Sequence, residues 1–162
     1  MTISDKCRQI SLLLTDVDGV LTDGRLYYSA EGDIMKAFNV KDGMGVKLLQ
    51  RSGIKVGIVT GRTSDMVAIR ASELGFDIVY QGINNKEEAI MEILHKLDVA
   101  PKHTAYIGDD INDLPAFNIA GLSACPQDAV NKLKKEADYV CESEGGRGAF
   151  REFADLILNS KK

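Results

Sequence analysis

A chain of 162 residues with 44% hydrophobic residues is about one domain long and can bury its own core. Its 20 Lys and Arg against 24 Asp and Glu leave a net charge of −4, which excludes a general electrostatic attraction to nucleic acid or anionic lipid. No apolar run approaches the roughly 20 residues of a bilayer span, the first residues do not read as a secretory signal, and Cys7, Cys125 and Cys141 fit neither a disulfide framework nor zinc spacing. Residues 1–162 therefore read as one cytoplasmic domain with buried or incidental thiols.

Short apolar runs alternate with amphipathic segments of about ten residues, which predicts an α/β fold, a parallel sheet flanked by helices. In chain order, Ile10–Thr15 predicts a strand stopped by Asp16-Val17-Asp18-Gly19, and Arg25–Tyr28 with Ile34–Phe38 predicts a small β-hairpin spanning about residues 25–38. Met44–Leu49 has helical spacing, Lys55–Thr60 is a second sheet strand, and Ser64–Leu74 is a helix closed by Gly75. Strands at Ile78–Tyr80, Thr104–Ile107, Leu122–Ala124 and Tyr139–Cys141 follow, interleaved with helices at Lys86–Leu97, around Leu114–Phe117 and at Asp128–Glu136. After the flexible Gly145–Gly148, the residues Ala149, Phe150, Phe153, Ala154, Ile157 and Leu158 mark a last helix with one buried face.

Polar chemistry gathers at the strand ends. Asp16 and Asp18 stand at i and i+2, which points two carboxylates to one side of an extended chain. Such a pair repels unless a cation intervenes, and an oxygen-seeking divalent ion, most simply Mg2+, answers that need; a solvated acidic turn is the alternative. Asp109, Asp110 and Asp113 follow the Thr104–Ile107 strand, and a parallel sheet carries its ligand at that edge. Asp109, Asp110 or Asn112, or Asp113 itself, could merely cap the next helix, but a cap does not require three aspartates. Thr60, Gly61 and Lys86 supply a hydroxyl, a free amide and a cation, which together suit a phosphoryl group.

With these residues in this order the chain resembles the phosphatases of the haloacid dehalogenase superfamily, which implies a Rossmann-like core. The resemblance implies that Asp16 is the nucleophile forming an aspartyl-phosphate and that Asp18 is the general acid and later the base. It places Mg2+ on the carboxylates of Asp16 and Asp109 and the backbone carbonyl of Asp18. Asp110 and Asp113 would stand behind the metal, orienting its waters and Lys86, while Thr60, Gly61 and Lys86 hold the phosphoryl group. Receiver domains of phospho-signalling proteins share these residue types, but they place the phospho-accepting aspartate on a later strand. The segments between Asp16 and Thr60 and between Thr60 and Lys86 hold only the hairpin, two helices and one strand, so no cap domain is expected.

More narrowly, Asp16-Val-Asp-Gly-Val-Leu-Thr-Asp-Gly24, Phe38-Asn-Val-Lys-Asp-Gly-Met-Gly45, Thr60-Gly-Arg62, Gly108-Asp-Asp110 with Asp113-Leu-Pro115, and Gly145-Gly-Arg-Gly-Ala-Phe-Arg-Glu152 resemble the 3-deoxy-D-manno-octulosonate 8-phosphate phosphatase family. That likeness implies a phosphorylated sugar-acid substrate, a role in lipopolysaccharide precursor synthesis, and a cytosolic homotetramer joined through the hairpin. Leu26, Tyr27, Tyr28, Met35 and Phe38 could supply its apolar contact, or could pack on their own domain. The substrate's carboxylate needs a second cation, for which Arg62 and Arg70 are the candidates; Asn39, Asp42 and Gly43 could receive an anion or hydroxyl at a helix start, or serve as caps. A related phosphatase of the nine-carbon keto-deoxy-nononate 9-phosphate typically has Glu at position 62 and Lys at position 73, whereas this chain has Arg62 and Glu73. Finally, the likeness implies a mobile C-terminal tail from about residue 144 that folds over a neighbouring site.

Overall fold

A computed structural model describes all 162 residues. Six strands form one parallel sheet: β1 (Leu12–Thr15), β4 (Lys55–Val59), β5 (Ile78–Tyr80), β6 (Thr104–Ile107), β7 (Leu122–Cys125) and β8 (Tyr139–Val140), in the order β5-β4-β1-β6-β7-β8. A separate antiparallel hairpin, β2 (Tyr27–Ser29) and β3 (Gly32–Met35), carries a register irregularity at Tyr27 and Tyr28. The α/β fold with one hairpin and no further insertion is the one expected.

Central strands buried on both faces read as unbroken apolar runs, and side-chain alternation then sorts them into two cores. Leu13 joins Val56, Ala105 and Ile107 on one face, whereas Leu12 and Leu14 join Val59 and Tyr106 on the other. The first face is covered by α1 (Ile3–Gln9), α2 (Val40–Arg51), α3 (Asp65–Leu74) and α7 (Ala149–Ser160), which contribute Cys7, Val46, Leu49, Val67, Phe150 and Phe153. The second is covered by α4 (Lys86–Leu97), α5 (Leu114–Ile119) and α6 (Asn131–Glu136), through Ile90, Ile93, Phe117 and Leu133.

Several boundaries differ from the sequence reading. Ile10 ends α1 instead of opening β1, and α1 itself was unanticipated; it has seven residues and one buried side chain, Cys7, but its Thr2–Asp5 capping box satisfies its first amides. Helix α2 starts four residues before Met44 because Asn39 accepts a hydrogen bond from the Lys41 N–H at 2.8 Å and caps it.

The segment from Gly145 onward makes several contacts with the rest of the chain. The Gly145 N–H donates to Asp128 Oδ1 at 2.9 Å, the Gly146 N–H donates to the Val20 carbonyl at 2.8 Å, and Asn39 Nδ2 donates to the Gly146 carbonyl at 3.3 Å. A Cβ on Gly145 would lie 1.9 Å from the Gly19 carbonyl oxygen, so this segment is wedged behind the loop that follows β1. The buried Phe150, Phe153 and Ile157 then lock α7 into the core.

Candidate active site

The loops leaving β1, β4 and β6, three neighbouring strands at the middle of the sheet, open into one cavity. It is lined by Asp16, Asp18, Gly24, Thr60, Gly61, Arg62, Asp109, Asp110 and Asn112, with no hydrophobic residue among them. Such a lining suits a polar, charged ligand. The structure thus brings together the Asp16–Asp18 pair, the Thr60–Arg62 turn and the acidic loop after β6.

Beneath this cavity lies a buried charge array. Lys86, the first residue of α4, places its Nζ 3.2 Å from Asp16 Oδ2 and 2.5 Å from Asp113 Oδ1, and donates to the Tyr106 hydroxyl at 3.1 Å. Tyr106 in turn donates to Asp113 Oδ1 at 2.6 Å, while Asp113 Oδ2 accepts the N–H groups of Asp109 and Asp110 at 2.9 and 3.2 Å. Both oxygens of Asp113 are therefore committed to fixing Lys86 and the acidic loop. Burial by itself would lower the Lys86 pKa, but Asp16 and Asp113 outweigh that effect and hold the ammonium charged. Asp16 also accepts the Val17 N–H through Oδ1 at 2.7 Å.

The remaining carboxylates carry more negative charge than one lysine balances. Burial, then Asp16 and Asp113, push Asp109 up to about 8, and burial with Asp113 raises Asp16 while Lys86 pulls it down. Carboxylate oxygens of Asp16, Asp109 and Asp113 lie within 4.8 Å of one another. Asp113 meets two donors on each oxygen and Asp16 only one, so Asp16 and Asp109 keep lone pairs for a hard divalent cation, and their all-oxygen donor set fits one. The loop is shaped around this point: Gly19 has φ 88° and a Cβ there would fall 1.8 Å from Asp109 Oδ2.

Asp110 lies at the exposed rim, where its side chain accepts the Ile111 N–H at 2.7 Å and caps the short 3-10 turn Ile111–Asp113. The two acids form a reciprocal capping box on this turn, Asp113 Oδ2 accepting the Asp110 N–H at 3.2 Å, whereas Asp113 makes no side-chain cap on α5 itself. Arg62 lines the cavity, donates through Nη2 to the Tyr28 hydroxyl at 3.0 Å and lies 4.0 Å from Asp33 Oδ2.

The other expected substrate residues do not reach this cavity within one chain. Arg70, Asn39, Asp42 and Gly43 form a separate small cluster with Leu21, Phe38, Val46 and Leu74. There Arg70 sits 5.8 Å from the centre of the Phe38 ring and 3.4 Å from Glu73. Asn39 is the α2 cap. Asp42 is buried and accepts the Arg151 N–H at 3.0 Å, so it serves the start of α7, and Gly43 leaves room for the Arg70 guanidinium. The first turn of α2 is committed elsewhere, with Asp42 holding the start of α7 and Gly43 lying against Arg70 of α3.

Two residues in and beside the site were not anticipated. Lys36, just past β3, donates through Nζ to Asp18 Oδ1 at 2.8 Å and lies 3.2 Å from Asp33 Oδ2, with a side chain only 1% exposed. Nothing in a hairpin's alternation marks a lysine as inward-facing. Tyr106 reads in sequence as one more apolar strand residue, and only the fold reveals that its hydroxyl meets Lys86 and Asp113.

Residues 64–151 match the family model described as haloacid dehalogenase-like hydrolase. The 3-deoxy-D-manno-octulosonate 8-phosphate phosphatase KdsC of Haemophilus influenzae is 42% identical over 159 residues, covering 98% of this chain and 88% of that protein. Its counterpart in Escherichia coli K12 is 46% identical over 153 residues, 94% of this chain and 81% of that one. The chain belongs to the KdsC family of haloacid dehalogenase-like phosphatases. Among solved KdsC structures, the Moraxella catarrhalis protein in complex with magnesium ion, phosphate ion and KDO superposes with a TM-score of 0.95 at 42% identity, covering 98% of this chain and 91% of that one. The cobalt-bound Haemophilus influenzae protein gives a TM-score of 0.94 at 42% identity, with 96% and 91% covered.

Proposed function

We propose that this chain hydrolyses 3-deoxy-D-manno-octulosonate 8-phosphate to the free sugar acid and inorganic phosphate, in the cytoplasm, as a step of lipopolysaccharide precursor synthesis. The observation that carries the chemistry is the Asp16–Lys86–Asp113 array buried at the end of β1, with Asp109 beside it; membership of the KdsC family supports the substrate. A carboxylate attacking a phosphate dianion meets like-charge repulsion, which Lys86 and a bound cation must relieve. Mg2+, held by the carboxylates of Asp16 and Asp109 and the Asp18 carbonyl, would neutralise charge on the phosphoryl oxygens.

In this reading an Asp16 oxygen forms a bond to phosphorus as the bond to the sugar oxygen breaks, and Asp18 gives that oxygen its proton. Water then attacks the aspartyl-phosphate, Asp18 takes the proton from the water, and phosphate leaves. Thr60, Gly61 and Lys86 hold the phosphoryl group, and Arg62 receives the anionic end of the sugar acid. The hairpin leaves Leu26, Tyr28, Ile34 and Met35 exposed, and such an apolar patch supports assembly into a homotetramer through it. Tyr27 and Phe38 are half-buried in their own domain.

Phosphate release with Mg2+ or EDTA should be measured on the octulosonate 8-phosphate, the nononate 9-phosphate, the sialate 9-phosphate and a hexose phosphate. We expect turnover only with metal and the highest kcat/KM on the octulosonate; preference for a hexose phosphate would overturn the substrate. Asp16→Asn should lower turnover on the order of a thousandfold or more, and a variant keeping a tenth of the activity would exclude the covalent route.

A further inference from the structure

Resting on the acid role of Asp18 proposed above, we infer that Lys36 is a positioning residue that aims the Asp18 carboxyl at the leaving oxygen. A lysine on an exposed hairpin is ordinarily solvated, and withdrawing its ammonium from water is unfavourable unless charged partners compensate. The side chain of Lys36 is nonetheless almost wholly buried, although its neighbours Ile34 and Met35 are exposed. Its partners are two carboxylates, Asp18 Oδ1 at 2.8 Å and Asp33 Oδ2 at 3.2 Å. Asp33 Oδ1 is buried with no hydrogen-bond partner, so this aspartate is spent on the cations around Oδ2, namely Lys36 and, at 4.0 Å, Arg62. A chain of contacts therefore runs from Tyr28 through Arg62, Asp33 and Lys36 to Asp18.

The contact takes only one oxygen of Asp18. An aspartate beside an open cavity can otherwise rotate about both side-chain bonds, and an anchored Oδ1 removes that freedom. In the transfer step the bond from an Asp16 oxygen to phosphorus forms and the bond from phosphorus to the sugar oxygen breaks. A proton on Asp18 Oδ2 passes to that oxygen while Oδ1 stays on Lys36, which neither gives nor takes a proton. Lys36 acts through Asp18 and touches no reacting atom.

Leaving groups separate this role from a structural or substrate-binding one. Departure of an alkoxide needs the proton, that of p-nitrophenolate does not, and kcat/KM for both substrates reports the first chemical step alone, because dephosphorylation follows it. With Mg2+ present, Lys36→Met should lower kcat/KM on the octulosonate 8-phosphate by about tenfold or more, through kcat and not KM, and on p-nitrophenyl phosphate by less than about threefold. Lys36→Arg should recover most of the loss, Asp33→Asn should shift the ratio the same way by less, and Asp18→Asn/Lys36→Met should be no worse than Asp18→Asn. Equal losses on both substrates, a loss carried by KM, or multiplicative losses in the double variant would overturn the inference. Asp18→Asn losing both substrates equally would overturn the acid role itself, and the inference with it. If Lys36→Met does not fold, as judged by circular dichroism, the substrate ratio of Asp33→Asn decides.

Discussion

Gly19 sits where two demands meet in a single residue: its φ of 88° is strained for any side chain, and its missing Cβ makes room for Asp109. Gly19→Ala should cost about 1–2 kcal/mol in backbone strain and displace the Asp109 carboxylate proposed to bind Mg2+ as well. We expect a modest drop in melting temperature, a larger drop in activity, and a raised Mg2+ concentration for half-maximal rate; a variant with lowered stability but unchanged Mg2+ dependence would show that Asp109 tolerates the intrusion. At this scale Asp16, Asp18, Thr60, Lys86 and Asp109 are legible in sequence, because acids, a hydroxyl and a lysine at strand ends have no core role to fill. Lys36 is not, since its burial depends on Asp18, 18 positions away, and on how the hairpin folds back. The placement of Arg70 beside Phe38 and Glu73 is not legible either, because the sequence does not say which way α3 turns.

Between elements, the start of α7 is satisfied from outside its own sequence. Its N-cap is Gly148, which has no side chain to offer, and Asp42 of α2 accepts the Arg151 N–H instead. Burial pushes the Asp42 carboxyl up to about 6 from an ordinary 3.8, against the pull of the Arg151 and Gly148 amides. The folded state therefore binds this proton more tightly than the unfolded chain, and its stabilising contribution, full below about pH 4, is lost as pH rises through about 6. The loss is at most about 3 kcal/mol. Unfolding by urea at saturating Mg2+, which keeps the site carboxylates ionised, should show wild type weakening between pH 5 and 7 while Asp42→Asn changes less. Asp42→Ala should lose about 1 kcal/mol at either pH, the usual worth of a cap, and identical pH slopes for wild type and Asp42→Asn would refute the account. The six strands are legible because apolar runs bounded by turns have few other readings, whereas this cap joins residues 109 positions apart and leaves no local signal.

For the molecule as a whole, the sequence spacing that leaves no room for a cap domain holds in the fold, and the cavity is open on the chain alone. The hairpin links that cavity to an apolar surface, since Tyr28 bonds Arg62 while Ile34 and Met35 face outward. In light scattering, the wild type should run at about four times the 17.7 kDa chain mass, and Ile34→Asp, which removes an exposed side chain, should yield smaller species with the chain still folded. A wild type that runs as a single chain would refute assembly through the hairpin. The sheet order also bears on how the protein is made. Strand β1 lies between β4 and β6 and precedes both in the chain. Asp16, at the end of β1, therefore waits for residues 104–113 before Asp109 and Asp113 stand beside it, and the acidic cluster is complete only once that stretch has been made.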